Sequence, residues 1–133
     1  MNPTVMVDVT ATRGELPAYR LRRVVQYIQD NVERELPLAE LSAVVHMSPY
    51  HFARLFKSST GLSPHRFVVR HRIDQAQALL AAQTVPIVVI ARLVGFRTAS
   101  HFTTTFRRFT GVTPSTYRSS AIDRGSSDAP ALH

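Results

Sequence analysis

Apolar residues recur along this chain at helical spacing. Leu21, Val25, Ile28 and Val32 follow at steps of three and four, and Val24 widens the stripe, so an amphipathic helix is predicted that Pro37 terminates. Leu41, Val44 and Val45 form the apolar side of a short helix over 38–45. Ser48-Pro49 is a helix start, a serine cap followed by proline at the first helical position. The helix it opens buries Phe52, Leu55 and Phe56 and stops at Gly61. From His65 to about Ala82, Phe67, Ile73, Ala76, Leu79 and Leu80 share one side, and at ~1.5 Å per residue this helix spans roughly 27 Å. Thr98 caps a helix carrying Phe102, Phe106 and Phe109 that stops at Gly111, and Pro114 opens a last turn through Tyr117. One segment resists the pattern. Ile87-Val88-Val89-Ile90 is β-branched, and propensity alone makes it a strand.

An internal repeat resolves that conflict. HFARLFKSSTGLSPHRF at 51–67 lies over HFTTTFRRFTGVTPSTY at 101–117 at an offset of 50. His51/His101, Phe52/Phe102, Phe56/Phe106, Thr60/Thr110, Gly61/Gly111 and Pro64/Pro114 are identical, and Lys57/Arg107 keeps its charge. Upstream, after a one-residue slip, LSAVVHMS at 41–48 lies over IARLVGFR at 90–97. Each copy is a short helix, a tight turn (His46-Met47-Ser48; Gly95-Phe96-Arg97) and a capped second helix with a basic outer face, which is a helix-turn-helix arrangement. The counterpart of the β-branched run has a helical stripe, so 86–95 is predicted to be a helix with Ile90, Leu93 and Val94 inward. The chain is therefore all-α. A first helix-turn-helix subdomain (18–62) and a second (84–120) are joined by a long linker helix (63–83). Residues 1–17 read as a flexible arm, and 121–133, rich in small and polar residues, as a disordered tail.

Charge adds a partner. The net charge is +7. From Pro49 to Arg118 the basic residues Arg54, Lys57, Arg66, Arg70, Arg72, Arg92, Arg97, Arg107, Arg108 and Arg118 face a single acid, Asp74, whereas Asp30, Glu33, Glu35 and Glu40 offset the arginines of the first helix. A positive field confined to the repeat favours a polyanion, and double-stranded DNA fits the motif. The aromatics recur at core spacing and no apolar run approaches the ~20 residues of a membrane span, so no membrane role is expected. No secretory leader is visible at the start, and a cytoplasmic location is expected. There is no cysteine, no HExxH pattern among the six histidines, no nucleophile motif and no phosphate-cradling loop, so no enzyme, metal or cofactor is expected. The competing reading is a helical protein-interaction module, a duplicated hairpin without DNA sequence preference.

On the first recognition helix, 49–60, core positions leave Tyr50, His51, Arg54, Lys57 and Ser58 towards solvent. Arg54 is the best base reader, because a guanidinium grips guanine O6 and N7 together. Tyr50 suits a thymine methyl or a sugar, while Lys57 and Ser58 suit phosphates. His51, repeated as His101, is either a base contact or packing support. On the second recognition helix, 99–110, Ser100, His101, Thr103 and Thr104 are candidate base contacts, and Arg107 and Arg108 candidate phosphate contacts. Arg97 and Arg118 are further phosphate candidates or simply solvated.

The second copy resembles the AraC/XylS family of transcription regulators through Ile90-Ala91, Gly95-Phe96, Phe102, Phe106-Arg107-Arg108, Gly111, Thr113-Pro114 and Tyr117-Arg118. Arg72, Ala76, Leu79 and Leu80 match the linking segment, and Leu41, Met47-Ser48, Arg54, Phe56-Lys57, Gly61 and Pro64 the first copy, so the resemblance covers about 19–120. It implies about seven helices, with the two recognition helices in successive major grooves about 34 Å apart. It also implies a transcription activator that touches RNA polymerase, for which Asp30, Glu33 and Glu35 offer an acidic patch. One chain then reads an asymmetric site as a monomer, unless a domain not present here dimerises it. Thr104 stands where family members commonly keep an arginine, so helix 49–60 is expected to set most of the specificity.

Overall fold

The computed structural model describes residues 14–82 and 84–131, with side chains described as far as residue 123. The described residues form seven helices and no strands: α1 (Ala18–Asp30), α2 (Leu38–Val44), α3 (Pro49–Thr60), α4 (Pro64–Ala82), α5 (Ile87–Leu93), α6 (Ala99–Thr110) and α7 (Pro114–Ala131). None of them is long and apolar enough to cross a membrane. The chain divides into two compact units, Met1–Val69 and Arg70–His133, with α4 continuous from one into the other.

In the first unit α1 packs on α2 and α2 on α3. Its core is Leu16, Val24, Ile28, Leu41, Val45, Phe52, Phe56 and Val68, with Leu55, Met47 and Phe67 against it. The buried line of α1 is Val24–Ile28, while Leu21 and Val25 are only half-buried. In the second unit α5 packs on α6 and α6 on α7, around Ile73, Ala76, Leu80, Ile90, Ala91, Val94, Phe96, Phe102 and Phe106. The β-branched run is helical because two consecutive residues, Ile90 and Ala91, both reach this core together with Val94, which a strand's alternation forbids. Leu93 departs from expectation: it is 51% exposed, and Ala91 takes the inward place predicted for it. Phe109 is likewise 37% exposed, one position off the Phe102–Phe106 line.

The helix-turn-helix bonds repeat from one unit to the other. Pro37 and Pro86 precede α2 and α5 with extended backbone, and their carbonyls accept from Glu40 and Leu41, and from Val89 and Ile90, at 3.0 and 3.2 Å in each pair. Met47 N–H donates to Ser42 at 3.0 Å, and Phe96 N–H to Ala91 at 2.9 Å, closing the helix-turn-helix corner. That corner contains one left-handed residue in each copy, His46 (φ 59°) and Gly95 (φ 98°). Glycine takes this conformation freely, and histidine must accept the Cβ clash.

Two ends of the chain depart from the sequence reading. The predicted arm lies outside the described residues up to 13, but Leu16 is buried and its N–H donates to the Ser59 hydroxyl at 2.8 Å, so this end of the segment is docked. At the other end, α7 continues as helix to Ala131 where a disordered tail was expected from 121. Its first turn is packed by Pro114 and Tyr117, and extending an existing turn costs far less than nucleating one.

The first unit also holds a polar cluster without a counterpart in the repeat. Arg34 pairs with Glu40, donates to the Tyr27 hydroxyl at 2.9 Å and to the Glu35 carbonyl at 3.0 Å, while the Tyr27 hydroxyl donates to Glu40. Donation by Arg34, then by Tyr27, holds the Glu40 carboxyl down at about 2, against 4.5 ordinarily. The charged carboxylate is the bound form, so its stabilisation is full above about pH 4.5 and lost as pH falls towards 2.

Two predictions follow from these features. Thermal midpoints of the wild type are expected to fall across that acid window, and Glu40→Gln to lower the midpoint at neutral pH while flattening the acid slope; an unchanged slope would refute the linkage. Substituting Gly95→Ala is expected to cost about 1 kcal/mol, and His46→Gly to gain up to about 1 kcal/mol, in urea unfolding; destabilisation by both would show that the first corner depends on its histidine.

Candidate nucleic-acid interface

Each recognition helix is built with the same devices. Ser48 Oγ accepts from the His51 N–H at 3.3 Å, and Thr98 Oγ1 from the His101 N–H at 3.0 Å, giving α3 and α6 their side-chain caps. Gly61 (φ 82°) and Gly111 (φ 85°) end them, each donating 2.8 Å to the carbonyl four residues back. Beyond each end, Thr60 and Thr110 hydroxyls lie 2.9 Å from the Phe56 and Phe106 carbonyls and 3.0 Å from those of Leu62 and Val112. Aromatic rings then lock the inner face. Phe52–Phe56–Phe67 meet in tilted and edge-to-face contacts at 5.4 and 5.1 Å between centroids, and Phe102–Phe106–Tyr117 edge-to-face at 5.6 Å for both steps.

With the inner faces fixed, the outer faces follow. Tyr50, His51, Arg54, Lys57 and Ser58 are all exposed, Tyr50 at 78%. Ser100, His101, Thr104, Arg107 and Arg108 are exposed on α6. Positions 50, 54, 57 and 58 correspond one to one with 100, 104, 107 and 108, so both helices present the same stripe. Lys57, Arg107 and Arg108 lie in the last turn, where the helix dipole favours cations.

Three candidates change. Thr103 is half-buried and stands at the edge of the stripe. His101 packs edge-on against Phe96 with ring centroids 5.3 Å apart, which gives it packing work; Met47 is the residue that corresponds to Phe96 in the first copy. Arg118 turns inward. It is half-buried, and its guanidinium Nη2 donates 2.6 Å to the Val85 carbonyl, tying α7 to the turn before α5. No sequence signal pairs residues 33 apart in this way. Arg97 remains exposed at the corner.

A family model described as "Helix-turn-helix domain" matches residues 41–120, more than half of the chain. The chain belongs to the AraC-type helix-turn-helix family. It is 38% identical over 92 residues to the probable transcriptional regulator LumQ of Photobacterium leiognathi, covering 69% of this chain and 37% of LumQ. An AraC-type regulator structure from Chromobacterium violaceum superposes with a TM-score of 0.74 at 28% identity, over 78% of this chain and 93% of that one. The DNA-binding domain of the global transcriptional factor AdpA, solved in complex with a target DNA, superposes with a TM-score of 0.75 at 30% identity, over 79% and 95%. The chain spans well under half the length of the curated relatives it matches. Its AraC-type fold is that of the DNA-binding part of transcription regulators.

The inward turn of Arg118 yields a prediction. Arg118→Ala is expected to destabilise the fold by about 1–3 kcal/mol in urea unfolding, as for a hydrogen bond from a charged donor; wild-type stability would show that this bond does not hold α7 in place.

Proposed function

We propose that this chain reads a specific duplex sequence as a transcription regulator, with α3 and α6 in successive major grooves about 34 Å apart. The observation that carries this reading is the shared stripe: two capped helices whose buried phenylalanines leave the same five positions outward, basic at the rear in both copies. Family membership and the AdpA domain's complex with target DNA support it.

The division of labour follows from side-chain chemistry. Arg54 reads guanine bidentately, with Tyr50 and His51 beside it. Lys57, Ser58, Arg107, Arg108 and Arg97 hold phosphates. Ser100, Thr104 and the edge residue Thr103 face bases without a guanidinium among them, so α3 sets most of the specificity. One chain carries both reading heads and binds as a monomer. The regulator acts in the cytoplasm, and activation is the expected sign. The exposed acids Asp30, Glu33 and Glu35 are the surface we assign to RNA polymerase; charge reversal there is expected to abolish activation of a reporter while sparing DNA binding.

Selection from a random duplex library at near-physiological salt tests the central reading. Two enriched blocks one helical turn apart are expected, and the absence of any enrichment would favour the protein-interaction module. Arg54→Ala is expected to cost about 1–3 kcal/mol and to relax one base position. Arg107→Ala is expected to weaken all sequences alike and to reduce the salt slope by about 1; equal behaviour of the two variants would remove the distinction.

A further inference from the structure

Resting on that reading, we infer that the second recognition helix reads thymine through its 5-methyl group, with Thr104 as the contacting residue. The repeat provides an internal control. Positions 54 and 104 correspond, both are exposed, and both lie one turn ahead of a cation that also corresponds, Lys57 or Arg107. What differs is the leading face: Pro49, Tyr50 and Arg54 on α3 against Ala99, Ser100 and Thr104 on α6. Long side chains make contact while their helix stands off from the bases. Short ones make none unless the backbone comes closer, and the small leading face of α6 permits that approach.

The chemistry of α6 then removes alternatives one at a time. The helix, ASHFTTTFRRFT, holds no Asn or Gln for the paired groups of adenine and no Asp or Glu for the amino group of cytosine. Its arginines lie in the last turn, behind the leading face, so no guanidinium occupies the place Arg54 holds for guanine. The His101 ring is engaged with Phe96. Hydroxyls at Ser100 and Thr104 donate or accept and so choose poorly among bases. Thr105 is buried and Thr103 half-buried. Ala99, the other methyl of the leading face, is half-buried, so the exposed γ-methyl of Thr104 is the better placed group with a preference, and its partner in the major groove is the thymine methyl.

The test uses the full chain and the duplex that library selection enriches, with each thymine replaced in turn by deoxyuridine, which lacks only the methyl. Removing the critical methyl is expected to weaken binding about fourfold, the worth of one buried methyl-sized group. Thr104→Ser, an exposed change that leaves the core intact, is expected to make the protein indifferent between thymine and uracil at that position. Thr104→Arg is expected to move the preference there to guanine. Indifference of the wild type to every deoxyuridine, or undiminished discrimination by Thr104→Ser, would overturn methyl reading while leaving DNA reading in place. Failure to enrich any duplex would overturn both.

Discussion

Burial of two phenylalanines four residues apart decides the outer face of each recognition helix. Phe52 and Phe56, like Phe102 and Phe106, are fully buried, and each pair is braced from the following helix by Phe67 or Tyr117. Losing one such ring costs about 3–5 kcal/mol, a large part of what a small unit has to spend. A helix held that firmly cannot roll. Its outward residues are fixed in direction, whether or not any of them touches another part of the protein. The exposed stripe is thus a by-product of core packing, and its chemistry is free to differ between the two copies.

That freedom accounts for the contrast between the halves. The rear of the stripe keeps its cations, which the proposed reading sets against phosphates that are alike everywhere along a duplex. The front diverges from Tyr50 and Arg54 to Ser100 and Thr104, the positions that the proposed reading sets against bases. Outside the stripe the units also differ electrostatically. Glu40 in the first unit is held by Arg34 and Tyr27, whereas Val89 occupies the matching position of α5 and stands 40% exposed.

Most of the helical framework was legible in the sequence because caps, stops and the repeat all spoke together. Ser48-Pro49 and Thr98 mark starts, Gly61 and Gly111 mark stops, and comparison between copies overrode the strand propensity of Ile87–Ile90. The outward set on α3 was legible in full, since subtracting Phe52, Leu55 and Phe56 leaves little choice. The departures have two causes. Leu93 and Phe109 were assigned by spacing, yet a helix of seven residues and the last turn of a helix touch the core over too short an arc for spacing to decide. The Leu16 bond to Ser59 and the Arg118 bond to Val85 span 43 and 33 residues. Contacts of that kind depend on tertiary proximity, which no local pattern encodes.

The threonine that follows each recognition helix has a mechanical consequence. The hydroxyls of Thr60 and Thr110 sit between the last turn of one helix and the segment leading to the next, close to a carbonyl on either side, and each also accepts a backbone N–H, from Leu62 or Val112. A corner pinned on both sides by one atom is a weld, where a bare glycine turn would be a hinge. The outer face of each helix is thereby tied to the aromatic interior through a hydrogen-bonded corner. In the proposed DNA-reading role, helices pinned in this way would meet a duplex with their side chains already set in direction.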